Sequence, residues 1–269
     1  MDSTQADAYL ARIDARRPAA PTTEALRDLQ LRHLTAVPFE NLSIHLGEPI
    51  VLTEEALYAK LVERRRGGFC YELNGAFAAL LTHLGYEVDL LAARVFTDEG
   101  RLGPPYDHMV LRVRTQDGDG PWLADVGFGR HAVRPLHAAD RGEQHDPAGV
   151  FRIAEASGGP YPADDLDCHH DGRPVYRLEQ RPRELAAFNA TCWYQQTSPE
   201  SHFARSLTCS RLTADGGRIT LSGDKLITTS PGPDGGERRE ERLPGAAAIL
   251  AAYRTHFGID LDRVPPTPK

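Results

Sequence analysis

Apolar residues recur at helical spacing through the first third of the chain. The stripe that begins at Ala6 predicts one helix, which two prolines end. The leucines at 26–34 predict a second helix, which Thr22 or Thr23 can cap and which ends just before a proline. Thr53 followed by two glutamates predicts the cap and first turn of a third helix.

A fourth predicted helix begins at or just after Cys70. Leu73, Phe77 and Leu84 share one apolar face, and Gly85 can form the left-handed cap at its end. The sequence therefore predicts a helical region of about 85 residues, with a cysteine at the start of its last helix.

From residue 86 onward the pattern changes to short stretches rich in β-branched residues, with glycine, proline and aspartate between them. We therefore predict an α+β fold with boundaries near residues 85 and 190, and irregular structure over 156–174. The predicted strands are 87–96, 108–114, 122–126, 205–213, 218–222 and 225–229, and the predicted last helix is 243–257.

Composition narrows the class of protein. The 269 residues are 41% hydrophobic and 26% charged, as in an ordinary globular protein. The net charge of −7 argues against a nucleic-acid partner, and no apolar stretch approaches a membrane span or the core of a signal peptide. We therefore expect a cytoplasmic protein without a nucleic-acid or membrane partner.

The four cysteines show no paired spacing and are expected to stay reduced in the cytoplasm. Cys70 is the candidate nucleophile, because a helix start lowers the pKa of a thiol. Gly67 and Gly68 would let the backbone turn and leave space above the sulfur. Cys168 is expected in an exposed polar loop, and the other two thiols in strand-like runs.

A thiol nucleophile needs an imidazole, and the imidazole needs a third group that fixes its tautomer. His108 opens one predicted strand and Asp125 closes the next. Adjacent strands could bring both side chains over the helix start at Cys70. Each residue alone also fits a bland interpretation, as a strand-end histidine and a turn-forming aspartate.

Three further features of the sequence support a family assignment. Residues 66–74, Arg-Gly-Gly-Phe-Cys-Tyr-Glu-Leu-Asn, resemble the active-site signature of the arylamine N-acetyltransferases. Residues 37–42 and 198–203 resemble two other motifs of that family. His108 lies in a segment similar to its His-Met-Val strand, and Asp125 in a segment similar to its Asp-Val-Gly-Phe-Gly loop.

The resemblance implies a helical bundle over residues 1–85 that carries the cysteine, a β-barrel over 86–190 that carries the histidine and aspartate, and an α/β lid over 191–269. The catalytic core would be similar to that of cysteine proteases and transglutaminases. The implied activity is ping-pong transfer of acetyl from acetyl-CoA, through an acetyl-cysteine, to an arylamine, hydrazine or arylhydroxylamine nitrogen. It implies acetyl-CoA as a substrate, no permanently bound cofactor and no metal.

The resemblance also implies binding residues. Four positions match the family's acceptor pocket: Phe39, Val95, Phe128 and Phe203. Gly127 and Gly129 match its loop near CoA, where backbone N–H groups could meet a developing oxyanion. The chain departs from its relatives at Arg130 and His131, which leaves the size and polarity of the pocket mouth open. Arg130 could bind a CoA phosphate or a carboxylated acceptor, or it could face solvent.

Other interpretations of the sequence stay open. An amide synthase of the same family would use the same acyl-cysteine on a carrier-bound chain, and a cysteine peptidase would use the same triad order. The aspartates, cysteine and histidines of residues 164–171, with His131 and His137 upstream, suggest a metal-binding module, although their spacing does not match a structural zinc site. The triad could also be misplaced in a silent binding protein.

Overall fold

The computed structural model describes residues 1–156, 164–232 and 236–268. The first third is helical, as its apolar stripes predict. Its helices are α1 Ser3–Arg12, α2 Thr23–Ala36, α3 Leu42–Leu46, α4 Glu54–Tyr58 and α5 Cys70–His83. The later helices are α6 Asn189–Thr197, α7 His202–Arg205 and α8 Gly245–Ala252. Three shorter helical turns extend this framework: π-helical Ala59–Glu63 and Tyr253–Phe257, and 3₁₀-helical Leu185–Phe188.

The helix starts follow from capping side chains. Thr22 Oγ1 accepts a hydrogen bond from Ala25 N at the start of α2, and Thr53 Oγ1 accepts one from Ala56 N at the start of α4. Helix α5 begins at Cys70, as the sequence predicts. Helix α3 was not predicted, because five residues are too few to show a helical period.

The strands form two antiparallel sheets. In chain order they are β1 Phe39–Glu40, β2 Glu87–Val95, β3 His108–Arg114, β4 Trp122–Ala124, β5 Leu136–His137, β6 Gln144–Asp146, β7 Gly149–Glu155, β8 Leu166–His170, β9 Arg173–Arg183, β10 Cys209–Leu212, β11 Arg218–Ser222, β12 Lys225–Thr229 and β13 Arg238–Arg242. The larger, barrel-like sheet has the order β5-β4-β3-β2-β9-β8-β7-β6, and the smaller has the order β1-β10-β11-β12-β13. The mixture confirms the α+β prediction.

Strand β3 separates two hydrophobic cores. Leu111 and Val113 pack with the helices, whereas Val110 packs inside the barrel-like sheet. Side chains alternate between the faces of a strand, so His108 lies on the same face as Val110. Its ring contacts Phe128, with the ring centroids 5.0 Å apart. The imidazole therefore lies at the barrel face of the strand that packs against α5.

Strand β1 joins the first and last parts of the chain. Phe39 pairs with Ser210 of β10 and also bridges to Gly68, just before α5. The boundaries at residues 85 and 190 stay predictions. The pairing of β1 with β10 joins residues 1–85 to residues 191–269. The sequence pattern did not predict this contact.

The irregular structure predicted for residues 156–174 is wrong for residues 166–170 and 173–174. Strand β8 and the start of β9 lie in it, while residues 157–163 lie outside the described part of the chain. Leu166 and Cys168 are buried and alternate with more polar neighbours, as expected for a strand. The histidines and aspartates in this segment made the alternation hard to recognise in the sequence. The strand predicted at 205–213 begins later than expected, because α7 takes its first residue.

Within the described ranges, no helix combines the length and apolar character that crossing a bilayer requires. The cytoplasmic location expected from the sequence stays a prediction.

Candidate active site

The candidate nucleophile lies at the first residue of α5, and only 3% of Cys70 is exposed. The two glycines before it are needed for close packing. A Cβ on Gly67 would lie 1.9 Å from Pro38 O, and one on Gly68 would lie 2.7 Å from the Cβ of Glu72. Close packing, and not open space above the sulfur, therefore explains why positions 67 and 68 are glycines. The glycines let the loop pack closely against Pro38, the residue before β1, and against α5.

Buried charges fix the start of α5. Glu72 accepts hydrogen bonds from Phe69 N at 3.2 Å and from Lys60 Nζ at 2.6 Å. Burial raises the pKa of the Glu72 carboxyl, and the charge of Lys60 opposes that rise. Nearby, Arg66 forms a buried ion pair with Glu40 at 2.9 Å. The arginine cluster before Cys70 therefore does include a residue with a local structural role.

The imidazole and carboxylate proposed from the sequence are in direct contact. His108 Nε2 lies 2.7 Å from Asp125 Oδ2, and both side chains are buried. Burial alone would raise the pKa of Asp125, but the charge and hydrogen bond of His108, with a further donor from Asn74, lower it below the ordinary value. Because Nε2 faces the carboxylate, Nδ1 is the nitrogen that remains for chemistry.

Asn74 ties the nucleophile helix to this pair. Its Nδ2 donates to Asp125 Oδ1 at 2.9 Å, and its Oδ1 accepts from Val126 N at 2.9 Å. Asn74 lies one helical turn after Cys70, so the amide fixes the carboxylate relative to the thiol. The sequence analysis assigned it no role. A fully buried polar residue on the cysteine's own helix face was the available signal.

The low pKa expected for Cys70 is not what the structure shows. Burial raises the pKa of this thiol well above its ordinary value, and the charge of Asp107 adds to the rise. The Cys70 Sγ lies 4.0 Å from the backbone oxygen of Asp107, to which it donates. The sequence led us to expect a thiolate held in an ion pair by His108, and burial of Cys70 opposes that ionisation.

One cavity of about 670 Å³ contains the thiol and the imidazole on its wall. All four residues expected to line the acceptor pocket lie on the same wall: Phe39, Val95, Phe128 and Phe203. The Phe39 and Phe203 rings lie near each other, with centroids 6.1 Å apart. The cavity is large enough for a small aromatic acceptor, for which apolar walls are suited. The binding roles of these residues stay proposals.

The two glycines expected near CoA differ in position. Gly127 lines the cavity and packs so tightly on α5 that a Cβ would lie 2.7 Å from Cys70 Cα. Its N–H already donates to Asp125 Oδ1 at 2.8 Å, so it is not free to meet an oxyanion. Gly129 lies against the ring of Phe39 and is absent from the cavity wall as described. Arg130 and His131 are not among the described residues on that wall, and their roles stay predictions.

The sequence analysis missed part of the cavity wall. Asp107 and Gln195 both line the cavity, and Gln195 Nε2 donates to Asp107 Oδ1 at 2.7 Å. Ser201 Oγ donates to Gln195 Oε1 at 2.6 Å and accepts from Phe203 N. No local pattern marks Asp107, because an aspartate before a strand is common in turns.

The other three thiols are free and buried. Cys168, expected in an exposed loop, is buried in β8, and burial raises its pKa to about 12. Cys192 lies in α6, where a strand-like run was expected, and Cys209 lies in β10. Within the described ranges, no three His, Cys, Asp or Glu side chains are grouped so as to hold a metal ion. In the 164–171 segment, Asp167 pairs with Arg177 and His170 stacks on Phe151.

Comparison with known proteins agrees with this geometry. A family model described as N-acetyltransferase matches residues 22–265. The chain is 35% identical over 261 residues to an arylamine N-acetyltransferase of Mycolicibacterium smegmatis, covering 94% of this chain and 91% of that protein. It is also 35% identical over 258 residues to the arylamine N-acetyltransferase / N-hydroxyarylamine O-acetyltransferase of Salmonella typhimurium, covering 96% of this chain and 89% of that one.

A solved structure agrees over a similar length. The structure of Mycobacterium marinum arylamine N-acetyltransferase in complex with CoA superposes with a TM-score of 0.81 at 33% identity, covering 94% of this chain and 92% of that chain. At this identity and coverage the likeness extends beyond a shared topology. The family resemblance noted in the sequence is confirmed.

Proposed function

Because the chain belongs to the arylamine N-acetyltransferase family, we propose that Cys70 accepts an acetyl group from acetyl-CoA and passes it to the nitrogen of an arylamine, hydrazine or arylhydroxylamine. Family membership makes the protein an acyltransferase. The observation that carries the proposed mechanism is the buried contact of 2.7 Å between His108 and Asp125, on a cavity whose wall includes Cys70.

In the first half-reaction, His108 Nδ1 takes the proton of the Cys70 thiol as the sulfur attacks the thioester carbonyl. The bond between the acetyl carbon and the CoA sulfur then breaks, and the imidazolium returns the proton to the leaving thiolate. The products are free CoA and an acetyl-cysteine. Asp125 keeps the proton on Nε2 and stabilises the transient imidazolium.

The resting state of the thiol fits this order of events. Burial raises the pKa of Cys70, which gives the base a role in removing the thiol proton during attack. A neutral thiol in an apolar site also avoids a buried, uncompensated charge between turnovers.

In the second half-reaction, the acceptor nitrogen attacks the acetyl carbon of the thioester. His108 takes a proton from that nitrogen and delivers it to the departing Cys70 sulfur, which restores the thiol. The aromatic walls of the cavity, Phe39, Phe128 and Phe203, support an aromatic acceptor. The acceptor thus reaches the site that CoA has left.

An amide synthase of the same family is the second candidate, because it too requires an acyl-cysteine attacked by an arylamine. The similarity to a structure in complex with CoA favours acetyl transfer over use of a carrier-bound chain. Neither interpretation requires a permanently bound cofactor.

Intact mass spectrometry tests the proposal directly. Protein mixed with acetyl-CoA in the absence of acceptor should gain the mass of one acetyl group, which peptide mapping should assign to Cys70. Addition of an arylamine should remove the group and yield its N-acetyl product. No mass gain on the wild-type protein, with a Cys70→Ala sample as the blank, would overturn the acyl-cysteine mechanism.

A further inference from the structure

Asp107 places a carboxylate on the wall of the cavity that contains Cys70 and His108. Resting on the function proposed above, we propose that Asp107 is a specificity-determining residue that selects acceptors without negative charge and discriminates against arylamines that carry a carboxylate. The acceptors are thereby narrowed to neutral arylamines, hydrazines and arylhydroxylamines.

Asp107 has no ion-pair partner among the described residues, although the charges of His108 and Arg94 favour the ionised form of its carboxyl. Its Oδ1 accepts from the neutral amide of Gln195 at 2.7 Å, and no described Lys or Arg side chain forms an ion pair with it. The side chain is half-buried, so water and salt screen it less than an exposed group. Donors from Gln195 and the backbone of Val95 favour the ionised form, while burial raises the pKa of the carboxyl.

The other charged side chains on the described cavity wall are mostly acidic, like Asp107. Its other carboxylates, all exposed, are Asp98, Glu99 and Glu200. One guanidinium, that of Arg205, is on the described wall, and it is exposed and donates to the backbone oxygens of Ser201 and Glu200. An acceptor carboxylate would therefore enter a mostly negative cavity.

Position near the thiol gives Asp107 its influence on the acceptor. The residue directly precedes His108, and its backbone oxygen receives the Cys70 Sγ at 4.0 Å. An acceptor nitrogen that attacks an acetyl group on Cys70 must therefore bring its ring close to Asp107. Repulsion from the Asp107 carboxylate weakens the binding of an anionic acceptor and leaves a neutral acceptor of the same shape unaffected. A binding site can reject one of two similar ligands in this way.

Two acceptors of nearly the same shape test the proposal: para-aminobenzamide, which is neutral, and para-aminobenzoate, which is an anion. In ping-pong kinetics the kcat/KM for the acceptor reports the second half-reaction alone. At about pH 8, where carboxyls are ionised, the wild type should favour the amide by at least about tenfold. Asp107→Asn should bring the ratio close to one, mainly through a lower KM for the benzoate.

Gln195→Met is the matched control, because it removes the hydrogen bond to Asp107 but keeps the charge. It should change kcat/KM for both acceptors by the same factor and leave their ratio as in the wild type. Equal changes for both acceptors in Asp107→Asn would show a purely structural role and overturn the proposal, as would a wild type that does not discriminate.

Failure of the underlying function has a different signature. Release of CoA from acetyl-CoA in the absence of any acceptor reports the first half-reaction, in which the charge of the acceptor has no part. Normal CoA release with a ratio of one would overturn the role of Asp107 alone. Absent CoA release from folded protein would overturn the acyl-cysteine and, with it, the selectivity that depends on it.

Discussion

The cavity wall is built from two regions that hold their polar groups in different ways. Behind the wall on the side of α5 and the barrel-like sheet, Asn74, Asp125 and Glu72 are buried and bonded to specific partners. On the side of α6 and α7, amides and hydroxyls such as Gln195 and Ser201 make the contacts, and many neighbours are exposed. Rigid buried groups suit chemistry, and the more open side suits the choice of acceptor.

Substitutions in the two regions should therefore affect different kinetic constants. Changes on the α5 and barrel side should lower kcat or the free energy of unfolding, whereas changes on the α6 and α7 side should act mainly on the KM for the acceptor.

Loss of the nucleophile should have the largest effect. Cys70→Ala should leave no measurable acetyl transfer, because no acyl intermediate can form. The free energy of unfolding should change by no more than about 1 kcal/mol, since one sulfur is removed. Initial rates with acetyl-CoA and an aniline, together with a urea titration, check both statements. Retained turnover by folded Cys70→Ala would remove this residue from the mechanism.

Asp125→Asn should have the second-largest effect on activity. An amide in place of the carboxylate no longer holds the proton on Nε2 of His108, and in a related triad such a change lowers kcat about 10⁴-fold. The KM for the acceptor should change little. Steady-state kinetics against the wild type, with circular dichroism to verify folding, provide the measurement. An Asn variant that keeps most of its rate would mean that another group orients His108.

The buried ion pair behind the nucleophile should matter for stability. Lys60→Met leaves Glu72 buried without its partner and should lower the free energy of unfolding by about 3 to 5 kcal/mol. Lys60→Met combined with Glu72→Leu should recover part of that loss, because the unpaired charge is gone. Equal denaturant midpoints for Lys60→Met and the wild type would show that this pair does not stabilise α5.

On the other side of the cavity, Phe203→Leu should have a moderate effect confined to binding. The ring contacts Phe39 and Phe69, and its loss widens the apolar wall. We expect the KM for an aromatic acceptor to rise about tenfold, in line with the burial of a ring. The rate of CoA release without acceptor is the internal control and should stay near the wild-type value. A fall in the rate of CoA release as large as the rise in KM would contradict the proposed difference between the two regions.

The smallest expected difference concerns resting thiol reactivity. Because burial raises the pKa of Cys70, less thiolate is present below that pKa, and alkylation by iodoacetamide should be slow at pH 6 and accelerate as the pH rises. Buried Cys168 should react no faster. Peptide mapping after timed labelling at several pH values makes the test. Rapid labelling of Cys70 already at pH 6 would restore the preformed ion pair expected from the sequence.

The sequence itself determined the helices and the order of the chemical groups. Apolar stripes of three to four turns specify α2 and α5, and threonine caps mark the starts of α2 and α4. These signals are local, so no tertiary information is needed. Cys70, His108 and Asp125 could be found because each lies in a motif that resembles the family. The polar composition of residues 164–171 led to a wrong prediction, because histidine and aspartate in a short strand hide its alternation.

Tertiary structure alone decided the charge state and the partners of the site. The pKa of Cys70 depends on how much chain buries it and on Asp107, which lies 37 residues away in sequence. Likewise Asn74 and Asp125 are brought together by the packing of α5 against β3 and β4. Desolvation and hydrogen bonding act over a few ångströms in space and are independent of distance along the chain, so sequence spacing cannot reveal them.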